Sequence, residues 1–143
     1  MQISELLYDA VGSDNGTLFV ELWGVPGTSL EGWQIEGVNG ADGAIGPIVA
    51  LSGEIPADGF FVVADSDAGT TLVANADLLA NFDFQNGPDS IVLRNALGEL
   101  LEAVCPFAHE GFVVELLLDH HVQHRQRERI VGARAQAQPH VGA

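Results

Sequence analysis

Apolar and polar residues alternate along this chain in short runs, each closed by a cluster of Gly, Pro, Asp or Asn. Runs with strand-like alternation span residues 2–8, 17–23, 32–37, 47–51, 59–65, 89–94 and 99–105, with 112–118 as an eighth. Between them stand VGSDNG, GVPGTS, VNGADGAIG, SGEIPADG, NGP and NALG. Seven or eight short strands with turn signals at this density predict an antiparallel sandwich or barrel rather than alternating helices and strands. Only ANADLLA, residues 74–80, has the composition of a good helix former in the middle of the chain. With Asn75 as its N-cap it is predicted as a short helical crossover between two sheets.

Alternation also assigns faces. In 17–23 one face carries Leu18, Val20 and Leu22, and the other carries Phe19, Glu21 and Trp23. Only the first set is free of charge, so it is predicted to face the core. In 59–65 both faces are apolar, as expected of a central strand covered on two sides. In 89–94 Ile91 and Leu93 point in, while Val92 and Arg94 point out. Trp33 pairs with Ile35 on an inward face. A sandwich needs large side chains across the ~10 Å between its sheets, so Trp33 is read as a core indole rather than a ligand-stacking one. The predicted core is Leu18, Val20, Leu22, Trp33, Ile35, Phe61, Val63, Ile91 and Leu93.

Size and charge narrow the picture. A chain of 143 residues fits one domain, burying about two-thirds of its unfolded surface. No apolar run approaches the ~20 residues of a membrane helix, so no membrane span is expected. The opening residues lack the features of a signal peptide and enter a strand pattern at once, as a domain cut from a longer chain would. The single Cys105 forms no internal disulfide. The chain has 20 acidic and five basic residues and no lysine, and Arg94 is the only Arg before residue 125. Such a surface repels phosphate, so direct nucleic-acid binding is not expected, and it suits an extracellular or cell-surface medium. After Cys105 the composition turns to His, Gln, Arg and Ala. The expected division is a sandwich over 1–118 and a polar, disordered tail over 119–143, atypical of such a domain.

In order along the chain, ISELLY, FVELW, LEGWQI, GEIPADGFFVVAD, NGPDSIVL and NALGELLEAV together resemble a lamin tail domain over about residues 2–105. The resemblance rests on Ser4-Glu5 in the first strand, Phe19-Val20-Glu21-Leu22 in the second and Gly32-Trp33-x-Ile35 in the third. It continues with the turn from Pro56 to Gly59 before an apolar strand. It implies an immunoglobulin-like β-sandwich. Members known by name end nuclear intermediate filament proteins, and similar bacterial domains sit in secreted or surface proteins beside nucleases, phosphoesterases or adhesive modules. The lysine-free acidic composition looks more like the bacterial group. Gly24 departs from the asparagine usual after the second strand.

Three constellations could carry function. Phe19, Glu21 and Trp23, on the predicted outward face, form a candidate aromatic contact patch for a protein partner. Glu5 and Glu21 are predicted to be solvated there, where no cleft would tune them for acid–base work. DSDAGT, residues 65–70, opens like a calcium loop, with Asp65 and Asp67 as candidate ligands and Asp77 or Asp42 as further oxygens. Its twelfth position is Ala76 rather than Glu, and an Asx-type turn is the simpler alternative. In DHHVQH, residues 119–124, His120 and His124 would share a helix face, with Asp119 or Glu115 adding an oxygen to a metal. A frayed polar tail explains the same residues. The expected function is a non-catalytic binding or structural module, for protein–protein interaction or adhesion. The alternatives are a calcium-assisted adhesive or carbohydrate-binding domain and an accessory domain of a nuclease or phosphoesterase.

Overall fold

The structure, a computed structural model, describes residues 1–84 and 89–104 together with the backbone of 114–115. Those residues form β1 (Gln2–Leu7), β2 (Phe19–Trp23), β3 (Gln34–Val38), β4 (Ile45–Ala50), β5 (Phe60–Asp65), β6 (Leu78–Ala80), β7 (Ser90–Arg94), β8 (Leu100–Val104) and β9 (Val114–Glu115). One sheet runs β6-β5-β2-β1-β9 and the other β4-β3-β7-β8. Every neighbouring pair is antiparallel except β5 and β6, which run parallel. The fold is therefore all-β in two sheets. No helix is present among the described residues, and so none long and apolar enough to cross a membrane.

One hydrophobic core joins the sheets. Ile3, Leu6, Val20, Leu22, Phe61 and Val63 of the first sheet enclose it with Ile35, Val49, Ile91, Leu93 and Val104 of the second. Eight of the nine residues predicted for the core lie there, buried. Trp33 is the exception. It precedes β3 and is half-buried, packed against the cluster rather than bridging the sheets. The backbone explains its place. Its amide closes a turn on the Leu30 carbonyl and its own carbonyl accepts Leu51 N–H, which sets it in the loop before the ladder begins. The phenyl rings enclosed in the core are those of Phe19, Phe61 and the tilted pair Phe82 and Phe84, whose centroids lie 5.1 Å apart.

β5 is buried along its whole length, as its two apolar faces foretold. That burial overturns the predicted helix at 74–80. A buried strand needs its edge amides paired, and an extended segment there supplies them. Asp77 N–H donates to the Val62 carbonyl, Val62 N–H donates to the Asp77 carboxylate at 2.8 Å, and β6 then pairs in parallel with residues 63–65. Asn75, the presumed N-cap, instead has φ +56°, a left-handed conformation that ends any helix. The apolar run at 112–118 contributes β9, which pairs with β1 at the sheet edge. The rest of that run and residues 119–143, including the His120/His124 constellation, lie outside the described residues.

Connections gather at two ends. One end holds loops 24–33 and 51–59 and the 95–99 turn. The other holds 8–18, 39–44 and 66–77. At the second end Tyr8, only 5% exposed, packs with Phe84 and Pro47 around a cavity of about 20 Å³. Burial first, and the neighbouring Asp9 charge second, push the phenol above its ordinary value of 10.0.

Two outcomes follow from this packing. Leu93→Ala, which empties a fully enclosed site between the sheets, should cost about 2–5 kcal/mol in urea unfolding. Tyr8 is the sole tyrosine, so tyrosinate absorbance at about 295 nm reports it alone, and its midpoint should lie above that of the denatured chain. Because the folded state favours the neutral phenol, that stabilisation is complete below pH ~10 and is lost as pH rises through the folded value. A native midpoint equal to the denatured one would refute the packing described for Tyr8.

Candidate binding groove

The predicted contact face needs correction first. Phe19 and Glu21 are 0% exposed, and on this face only Trp23 reaches the surface, at 38%. The apolar neighbours on that side, Leu7 across to β1 and Val62 and Ala64 across to β5, are equally enclosed. A carboxylate marked this face as outward, yet Glu21 is accommodated inside by a polar neighbour. Ser4 sits where the β1–β2 register shifts, and its Oγ donates to Glu21 Oε1 at 2.9 Å. Glu5 stands opposite Glu21 in register and is also fully buried, so the pair is neither solvated nor within reach of a substrate.

Where β2 ends, two turns flank the Trp23 indole. In Val25-Pro26-Gly27-Thr28 the Thr28 amide donates to the Val25 carbonyl, and Gly27 has φ +81°. Proline followed by a left-handed glycine is the chemistry of a type II turn. In Pro56-Ala57-Asp58-Gly59 the Gly59 amide donates to the Pro56 carbonyl, and Asp58 Oδ1 accepts Phe60 N–H at 3.0 Å. Gly59 has φ +85°, and a Cβ there would press within 3.3 Å of the Gly24 carbonyl and 3.4 Å of Trp23 Nε1. Gly24 answers the departure seen in the sequence. Its amide donates to the Gly59 carbonyl, and a Cβ on it would meet the Met1 sulfur at 2.8 Å.

The two loops continue as a zipper behind these turns. Gly27 N–H to Ile55 O, Ile55 N–H to Thr28 O and Leu30 N–H to Gly53 O tie 24–33 to 51–59, and Leu30 and Ile55 are buried beneath. Between the turns lies an open groove of about 280 Å³, lined by Met1, Trp23, Val25, Pro26, Ala57 and Asp58 among others. Val25 is 73% exposed at its lip. The groove is mostly apolar, its backbone is tied by hydrogen bonds, and its lining has no hydroxyl, thiol or imidazole side chain. No protein-family model matches the chain, and no curated protein matches it.

Asp65 and Asp67 part company. Asp65 is buried, its Oδ2 accepting Gly16 N–H at 2.7 Å and its Oδ1 accepting Phe82 N–H at 3.0 Å. Asp67 is exposed and opens a tight hairpin, with Asp67 N–H and Thr70 N–H each bonded to the other's carbonyl at 3.0 Å. Ala68 and Gly69 at its tip have φ +51° and +81°, as a type I′ turn requires. The D-x-D opening is thus a turn with a carboxylate staple behind it. Among the described residues no group of three His, Cys, Asp or Glu side chains could hold a metal ion.

Sequence reasoning put Trp23 at the surface and did not join it to the turns that line the groove with it. The signal was in VPGT and PADG, two Pro-Gly turn motifs flanking the strands that bring them together. Asp65→Ala leaves two buried amides without acceptors and should cost about 3 kcal/mol. Because both Asp65 oxygens already hold backbone amides, millimolar calcium or EDTA should leave the melting temperature unchanged. A calcium-dependent rise would restore the metal reading.

Proposed function

We propose that this protein is a non-catalytic binding module that engages a protein partner through the Trp23 groove. The observation that carries the reading is the combination of a closed interior with a preformed apolar groove at one end. The buried carboxylates Glu5 and Glu21 sit where no substrate reaches. The groove offers shape and apolar surface without a hydroxyl, thiol or imidazole to act on a substrate. Tryptophan anchors in small rigid concavities are a recurring basis of protein recognition.

The order of strand and turn motifs supports placing the chain with lamin tail domains and reading its two sheets as an immunoglobulin-like sandwich. Within that reading the domain serves adhesion or assembly in a secreted or surface protein, where a lysine-free acidic surface stays soluble in salt. Function then lives in the loops at one end, carried by an inert core.

A photo-cross-linking residue at Val25, compared with one at Leu72 on the opposite end, tests the proposal in the producing cells. Leu72 is 57% exposed, so both positions are accessible. Val25 should trap one protein, identified by mass spectrometry, whose purified form binds wild type and loses about ten-fold or more in affinity to Trp23→Ala. Trp23→Ala should meanwhile stay folded, since its ring is partly exposed. Equal labelling from both ends, or binding that ignores Trp23, would overturn the groove as the site.

A further inference from the structure

We infer that the occupant of the Trp23 groove is a basic segment, a Lys- or Arg-bearing stretch that also seats an apolar side chain against the indole. This rests on the groove being the binding site and adds the chemistry of what it binds.

The argument is the charge around the groove. Asp58 lines it. Glu31, Glu54 and Glu99 are exposed on the three connections at the same end, 24–33, 51–59 and 95–99. Against these four carboxylates stand the α-amino group of Met1, which lines the groove itself, and Arg94, the one arginine of the described residues. Arg94 Nε donates to Glu36 Oε2 at 2.9 Å and its Nη1 to the Gly98 carbonyl at 3.2 Å, while Glu36 is itself buried at 3% exposure. Arg94 thus neutralises a carboxylate on the outer face of the second sheet. Four carboxylates against one α-amino group leave the end that carries the groove net negative, with apolar Trp23, Val25 and Leu97 exposed on it. An acidic or phosphorylated segment would be repelled there. A basic one gains charge attraction on approach and apolar contact once seated.

A partly exposed indole beside the Asp58 carboxylate also suits a cation directly. Cations stack on the negative face of an indole, more strongly where water is partly excluded. Asp58 keeps its position through Phe60 N–H, so the carboxylate is held at the groove instead of swinging away.

The probes are two nonapeptides of identical spacing, one Lys-Leu-Pro-rich and one with every Lys replaced by Glu. Each is titrated into ¹⁵N-labelled protein. The lysine peptide should shift the amides of Gly24, Val25, Ala57 and Gly59, and its affinity should fall about ten-fold as salt rises from about 50 to 500 mM. The double variant Asp58→Asn/Glu54→Gln should weaken it about five-fold or more, while Asp42→Asn/Asp67→Asn at the opposite end should leave it unchanged. The Asp58→Asn change retains a side-chain oxygen to accept Phe60 N–H, so the backbone turn is preserved. Equal binding of the glutamate peptide, or equal loss from the opposite-end pair, would refute the charge argument. If Val25 cross-links a Trp23-dependent partner whose contact segment carries no Lys or Arg, this inference fails and the groove stands. If no Trp23-dependent partner is trapped and neither peptide moves the groove amides, both fail together.

Discussion

Strand β5 is enclosed on both faces, and the rest of the fold is organised around satisfying it. A strand in that position presents amides and carbonyls that water cannot reach, so each edge must find a partner. β2 supplies one edge over five residue pairs. The other edge receives only the three residues of β6, and Asp77 extends that pairing by one position with both its backbone and its carboxylate. At the strand's exit Asp65 turns its carboxylate to two further amides, from Gly16 and Phe82. Acidic residues here hold the protein together from inside, which is easy to overlook in a chain whose net charge suggests that all of them are solvated.

The same fact explains where sequence reading succeeded and where it went astray. Strand positions and most of the core followed from alternation, because Leu, Val, Ile and Phe on one face have only one stable place to go. Phe19 and Glu21 were misread for a specific reason. Glu21 was taken to mark its face as outward, but the Ser4 hydroxyl, brought over by an irregularity in β1, gives that carboxylate a buried donor. Nothing in the alternation of β2 announces a register shift in β1. The 74–80 segment failed on a similar ground. Its helix propensity is real, yet the unmet edge of a buried strand outweighs a few tenths of a kcal/mol per residue. Trp33 packs against the core from its margin, displaced there by loop hydrogen bonds that no periodicity encodes.

The groove shows the reverse balance, with local chemistry fully legible and its assembly hidden. Pro26-Gly27 and Pro56 to Gly59 each declare a turn. Only the pairing of β2 with β5 puts those turns side by side, because Trp23 stands opposite Phe60. Once there, the loop zipper fixes them, and Gly59, at φ +85°, lets the Gly24 carbonyl and the Trp23 indole approach where a Cβ would be strained and tight. A preformed site of this kind loses little conformational freedom on binding, so modest apolar area can still yield specific affinity.

Charge is what the proposed choice of occupant rests on. Residues 1–104 hold 16 acidic side chains against Arg94, and Arg94 is anchored to Glu36 in the second sheet. That arginine also reaches the 95–99 turn, its Nη1 donating to the Gly98 carbonyl, so its charge lies at the groove end and is matched there by Glu36. The ion pair lets a carboxylate sit almost buried in the sheet's outer face and leaves the other carboxylates of the loop end in excess. The buried pairing in one sheet and the selectivity proposed at the groove are therefore linked through a single side chain. With Arg94 held by Glu36, the exposed carboxylates of the groove end stay in excess, and the proposed preference for a cationic, apolar visitor rests on that excess.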